Sequence, residues 1–291
     1  KSGKNLIKKD WSASLIDLGD QVLNVEFHSA LQPTLNPIDS SMGEIMNDAM
    51  DLLDSKKYNA LVIGHQGSNF CAGANLANMI QTIDANDFNK INNDLKQFQD
   101  LMQRMRFSTA PVIAAPHHLA LGGGFEISAP AAHRVALGEL YIGAVEIGVG
   151  LVPGAGGTQR LPRLVGFRKG LEMITSGTPV DAATALEIGL VDKVVRDVDL
   201  VEAAISYATK LIEQRTPTRR TSGIAIDVTP SEGEAIVVEI RASLEKSARG
   251  MQAPFRCLES VANTLTMSFE DGWAREAEIS EVAVASDESR S

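Results

Sequence analysis

Two carboxylates and two glycine clusters lie close together along the chain. Glu126 follows three consecutive glycines, Gly122 to Gly124, in "LGGGFE", and Glu146 lies in "GAVEIGVGLVPGAGG". An earlier stretch of small residues, "FCAGAN", holds Ala72, Gly73 and Ala74. Glycine lets a ligand come close to the backbone, and two N–H groups from two loops can polarise one carbonyl, each contributing about 3–4 kcal/mol at a transition state that carries an oxyanion. A carboxylate among apolar neighbours is suited to moving protons near neutrality. Together these residue types fit a reaction that passes through an enolate.

The residues alone leave other readings open. The three glycines also suit a tight strand-to-helix turn, and they match neither a dinucleotide fingerprint nor a Walker loop. From the residues alone the preferred reading of Glu146 is that it caps a helix or pairs with an arginine such as Arg160.

Such groups need a frame to hold them. "SLIDLGDQVLNVEF" alternates apolar and polar residues about a Gly-Asp turn, which predicts a strand pair over 14–27. "SSMGEIMNDAMDLLDS" has helical spacing at Met42, Ile45, Met46 and Ala49, with Ser40 or Ser41 as its cap. "NALVIGHQ" and "APVIAAP" are short apolar runs of the buried-strand kind, and each leads into one of the glycine-bearing loops. Between them a helical stripe (Ile91, Leu95, Phe98, Leu101, Met102) predicts a helix over 84–105, and "RVALGE" predicts a further strand. Pro130 is expected to end the helix that carries Glu126. Alternation of strands and helices predicts an α/β chain. From about residue 200 only helices are expected, with Ser231 and Glu234 as a capping box for the second and Gly250 at its end. "RTPTRRTSGIAIDVTP" reads as an exposed connector, with Arg215, Arg219 and Arg220 on a solvated face.

Composition narrows the function. Over 291 residues there are 37 acidic and 27 basic side chains, a formal charge of −10, which argues against a nucleic-acid surface. Cys71 and Cys257 are the two cysteines and match no metal spacing, so reduced thiols, no disulfide and no metal are expected. No apolar run approaches the roughly 18 residues of a membrane span, so a soluble, cytoplasmic protein of bacterial type is expected. The start, "KSGKNLIKKDW", has four lysines in nine residues and reads as a solvated linker or the cut end of a larger polypeptide.

Taken in order, "FCAGANL", "ALGGGFE", "VEIGVGLVPGAGGTQRLPRLVG" and "GLEMITSGTPVDAATALEIGLVDKVV" resemble the crotonase (enoyl-CoA hydratase/isomerase) superfamily over roughly residues 14–200. "SASLIDLGDQVLNVEFHS" and "YIGAVEIGVG" are most similar to the hydratase part of fused dehydrogenase-hydratase proteins of β-oxidation, and the tail "QAPFRCLESVANTLTMSFEDGWAREAEISEVAVASDESRS" is similar to the helices that link hydratase and dehydrogenase parts in multifunctional enzymes. The resemblance implies a ClpP/crotonase-like spiral of ββα units with a C-terminal helical region. It divides the chain into a linker or fragment start (1–12), a crotonase core (13–197) and a helical region (198–291) used in oligomerisation or as a linker.

It further implies an oxyanion hole from the N–H groups of Ala74 and Gly123, with Ala72, Gly73 and Gly122 lining the substrate. Glu126 and Glu146, 146 − 126 = 20 residues apart, fall on the two glutamates of the hydratases. The implied activity is addition of water to 2-trans-enoyl-CoA to give 3-hydroxyacyl-CoA. No separate cofactor is implied, since coenzyme A arrives with the substrate. The implied partners are copies of the chain, in trimers or paired trimers, and a fused or associated 3-hydroxyacyl-CoA dehydrogenase. A long C-terminal tail could instead fold back over the chain's own site.

Two departures stand out: Asn75 replaces a frequent Asp, and His117-His118 replace a frequent Asn-Gly and are read as structural. The competing readings are a Δ3,Δ2-enoyl-CoA isomerase, which needs only the Glu146 position, and a non-catalytic acyl-CoA-binding or scaffolding module. Two carboxylates kept in an apolar setting argue against the module. The acidic balance argues against an RNA-binding relative.

Overall fold

The computed structural model describes residues 5–65 and 67–290 and divides into two compact units. One is built from the chain up to Asn75, Asp100–Ile142 and Val180–Thr221. The other is built from Leu76–Gln99, Gly143–Pro179 and Ser222 onward.

The first unit is organised by a seven-stranded sheet. Its strands are β1 (Asn5–Lys9), β2 (Ala13–Asp17), β3 (Val22–Phe27), β4 (Ala60–Ile63), β5 (Val112–Ala114), β7 (His133–Leu137) and β10 (Lys193–Val195), side by side in that order. The expected strand pair is β2 and β3, antiparallel about a turn in which Gly19, Asp20 and Gln21 all have positive φ. From β3 to β10 every pairing is parallel. Parallel strands are covered on both faces, which explains why β4 (ALVI) and β5 (VIA) are apolar and buried throughout. Helix α1 (Ser40–Asp54) packs against β2, β3 and β4 with Met42, Ile45, Met46 and Ala49. Helix α8 (Leu200–Glu213) sets Leu200, Ala204 and Ala208 against Val62, Ile113 and Val135. A smaller sheet joins β6 (Leu119–Leu121), β8 (Tyr141–Gly143) and β9 (Val180–Asp181).

In the second unit α2 (Leu76–Asp84) and the start of α3 (Phe88–Phe107) accompany α5 (Gly157–Val165), α6 (Phe167–Ser176), α9 (Pro230–Ser247), α10 (Ala253–Ala262) and α11 (Phe269–Val284). Helix α10 is the hub: it touches α5, α6, α9 and α11 and buries Ala253, Cys257, Leu258 and Val261. Both cysteines are free and buried. No helix of the described residues is long and apolar enough to cross a membrane.

Several expectations change. The helix expected over 84–105 is α3, which starts four residues later, at Phe88, because Asn86 turns left-handed (φ 56) and the Asp87 side chain caps α3 by accepting from the Lys90 N–H; α2, just before it, was not expected. Asp39, rather than Ser40 or Ser41, caps α1. The capping box of α9 is Thr229 with Glu232, two residues before the pair expected, because Pro230 suits the first helical position, where an N–H would have no partner. In the stretch expected to be a linker, residues 5–9 form β1, paired with β2, and residues 1–4 lie outside the described residues. Helix α8, assigned from sequence to the C-terminal region, packs on a face of the large sheet through its apolar stripe of Leu200, Ala204 and Ala208. Arg215 and Arg220 are exposed, as a solvated face requires, whereas Arg219 is half-buried and donates to Asp192 at 2.6 Å and to the Ala132 carbonyl.

Candidate active site

The segments leaving β4 and β5 are laced together. The Phe70 N–H donates to the His117 carbonyl, the Cys71 N–H to that of Leu119, and the Leu121 N–H returns to that of Cys71. On the other side the Ala72 N–H donates to the Leu35 carbonyl and the Ile38 N–H to that of Gly73, so the small-residue loop is held from both sides. Gly73 (φ 94) and Gly122 (φ 54) take backbone angles that a side chain would oppose. Gly124 lies so near the Cys71 carbonyl that a Cβ there would strike backbone.

This lacing sets two amides side by side. A Cβ on Gly123 would lie 3.8 Å from the Ala74 nitrogen, and one on Gly73 would lie 3.4 Å from the Gly123 nitrogen. Neither the Ala74 nor the Gly123 N–H donates to a protein acceptor among the described residues. Ala74 is exposed and Gly123 half-buried.

Helix α4 (Gly123–Ser128) starts at this point. The Glu126 N–H bonds back to the Gly122 carbonyl, and Glu126 is buried. The helix ends two residues before Pro130, so the proline leaves it intact. Of the residues singled out from sequence, the first unit brings together Ala72, Gly73, Ala74, Gly122, Gly123 and Glu126.

Glu146 belongs to the second unit, where it opens a 3-10 turn over Glu146–Val149 closed by left-handed Gly150. It is half-buried. The Cys257 thiol of α10 is raised well above its usual range, first by burial and then by the nearby Glu146 side chain, which is ionised at the high pH where the thiol titrates. Arg160 donates to the Ala155 carbonyl and lies 5.3 Å from the Phe269 ring centre and 5.7 Å from that of Trp273.

The histidines support the loops. His117 contacts the Gly67 carbonyl and His65 that of Phe70, and their rings meet edge to face at 4.6 Å. Burial is the main cause that lowers His65 to about 3 and His117 to about 4, so both rings are neutral near pH 7. His118 has a left-handed φ of 48, at the position where the sequence resemblance sets glycine. Cys71, pushed up to about 12 by burial, is a thiol and no nucleophile. Among the described residues no group of His, Cys, Asp and Glu is arranged to hold a metal.

Sequence reasoning missed Glu276. It is wholly buried on α11 and accepts from the Gly156 N–H, the Thr158 N–H (2.8 Å) and the Thr158 hydroxyl. It also missed Asp192, which ties the fully buried Arg134 to Arg219 and His133. Both are tertiary contacts between positions far apart in sequence, without a local signature.

Parallel strands, helices and two laced loops that present adjacent amides define an α/β protein of the crotonase type. The chain belongs to the enoyl-CoA hydratase/isomerase family, whose model matches residues 19–255. It is 33% identical over 188 residues to a probable enoyl-CoA hydratase of Bacillus subtilis (strain 168), a match covering 64% of this chain and 72% of that protein. It is 31% identical over 248 residues to the peroxisomal bifunctional enzyme of Danio rerio, covering 85% of this chain and 33% of that protein. A carnitinyl-CoA dehydratase from Mycobacterium thermoresistibile has the same fold, with a TM-score of 0.72 at 21% identity over 96% of this chain and 88% of that one. The chain spans between 20% and 33% of the length of the first several relatives it matches.

Proposed function

We propose that the chain is an enoyl-CoA hydratase that adds water across the double bond of a 2-trans-enoyl-CoA to give the 3-hydroxyacyl-CoA. The observation that carries this reading is the pair of adjacent amides, Ala74 and Gly123, which donate to no acceptor among the described residues and stand at the start of the helix that buries Glu126. The thioester oxygen accepts from both N–H groups, which stabilises the enolate that forms as water attacks. Ala72, Gly73 and Gly122 line that approach and carry no side chain larger than methyl.

Glu126 orients the water and takes one of its protons as the oxygen bonds to the β-carbon. Glu146, entering protonated, delivers a proton to the α-carbon. Glu126 then gives up its proton to solvent and Glu146 regains one from solvent, and the net change is the gain of one water. The steps draw on N–H and carboxyl groups of this chain, and coenzyme A enters as part of the substrate.

The same reading places the hydratase beside a 3-hydroxyacyl-CoA dehydrogenase that consumes its product, in keeping with a relative named bifunctional of which this chain spans a third. It also assigns the C-terminal helices to oligomerisation, as trimers or paired trimers, which light scattering tests.

The test of activity is loss of the conjugated enoyl-thioester absorbance on mixing with crotonyl-CoA. Recovery of 3-hydroxybutyryl-CoA supports the hydratase. Turnover confined to a 3-enoyl-CoA, with the 2-enoyl isomer as product, replaces it with an isomerase.

A further inference from the structure

Three residues of one helical face, with a fourth in the turn beyond the helix, follow the segment that begins at Glu146. Glu276, Ser280 and Val284 are spaced by four along α11, and Glu288 continues that spacing into the turn beyond it. Residues four apart lie on the same side of a helix. They meet the segment after Glu146 in reverse order. Glu276 accepts from the Gly156 and Thr158 N–H groups and the Thr158 hydroxyl. The Ser280 hydroxyl donates to the Val152 carbonyl at 3.3 Å, and a Cβ on Gly154 would lie 2.8 Å from its oxygen. Val284 shares an apolar cluster with Leu151. The Glu288 backbone covers Gly150, where a Cβ would come within 2.6 Å of it. The Glu288 carboxylate meanwhile accepts from the Gln252 and Ala253 N–H groups at the start of α10, the helix whose Cys257 is a neighbour of Glu146.

We propose that this face of α11 positions Glu146, with Glu276 as the principal positioning residue. The inference rests on the reading of Glu146 as the proton donor at the α-carbon. Residues 150–158 begin directly after the turn that Glu146 opens, so fixing them at four points fixes the backbone that carries the carboxyl. Glu276 is suited to the task because an ionised carboxylate only accepts, and three donors converge on it. An amide in its place turns an NH2 toward one of those donors and loosens the segment.

The experiment uses the full chain with Glu276→Gln and, as a milder change, Ser280→Ala, each also combined with Glu146→Gln. Hydrogen exchange of peptides spanning 146–157 is read alongside turnover of crotonyl-CoA. Faster exchange in that segment is expected, with little change elsewhere in the unit. For Glu276→Gln, kcat should fall about tenfold or more with KM near the wild-type value, since misplacement by about 1 Å costs on the order of 100-fold. Ser280→Ala should move both readouts the same way by less. Neither substitution should slow turnover further when Glu146 is already Gln. Unchanged exchange over 146–157 in both variants, or an undiminished rate loss in the Glu146→Gln background, overturns the proposal. A wild-type chain that turns over no crotonyl-CoA overturns the hydratase reading instead, and the exchange comparison then supports or overturns the positioning contact by itself.

Discussion

Ala74 and Gly123 approach so closely that a Cβ on Gly123 would lie 3.8 Å from the Ala74 nitrogen. The contact is made by backbone from two loops, and side chains on neighbouring glycines would disturb it unequally. At Gly123 a methyl meets the far end of the Ile38 side chain, which can swing away. At Gly73 it meets the Leu121 carbonyl at 3.0 Å, and φ is 94. Gly73→Ala should therefore lower kcat by about 100-fold or more through a displaced donor, at a folding cost of about 1–2 kcal/mol. Gly123→Ala should do less of both. Steady-state kinetics beside urea unfolding of the two variants measures the contrast.

Acid should destabilise the protein through His65 and His117. Both are lowered in the folded chain, to about 3 and about 4, from an ordinary value of 6.5. Between about pH 6.5 and pH 4 the unfolded chain thus binds more protons than the folded one, and stability falls as pH falls through that window. Two such groups contribute a slope approaching about 3 kcal/mol per pH unit. Urea unfolding at several pH values should show this, and His65→Phe should reduce the slope by about one proton.

Removing Asp192 should unfold more than it frees. Burial works against its charge, yet the His133 hydrogen bond and the Arg134 and Arg219 guanidinium groups hold its carboxyl well below the usual range. Asp192→Ala leaves Arg134, with no exposed surface, without its counter-charge. Breaking a buried pair in this way costs about 3–5 kcal/mol, which thermal or urea unfolding can read.

The thiols should be silent. Cys71, up to about 12, and Cys257, raised further by Glu146, are both fully buried. A thiol reagent at pH 8 should label neither in the native chain and both after unfolding.

Much of the first unit was legible because its signals are local. β4 and β5 are apolar runs bounded by turns, and β2 with β3 alternate about a Gly-Asp pair. The amide pair was legible only through the likeness of whole motifs, since "FCAGAN" and "LGGGFE" by themselves also fit tight turns. Helix boundaries were misread where two signals competed: Ser231 with Glu234 has the spacing of a capping box, but Pro230 moves the start to Thr229. Glu276 lies 118 residues or more from the amides it caps, a contact that periodicity and propensity do not encode.

The central claim is that Glu126 and Glu146 carry the chemistry, and the most direct measurement is decay of the crotonyl-CoA enoyl-thioester absorbance with wild type, Glu126→Gln and Glu146→Gln side by side. The account predicts turnover by the wild type and a loss of about 100- to 10,000-fold in each variant, with crotonyl-CoA still bound. A wild type that binds crotonyl-CoA and leaves its absorbance unchanged, or a variant that keeps the wild-type rate, would contradict it.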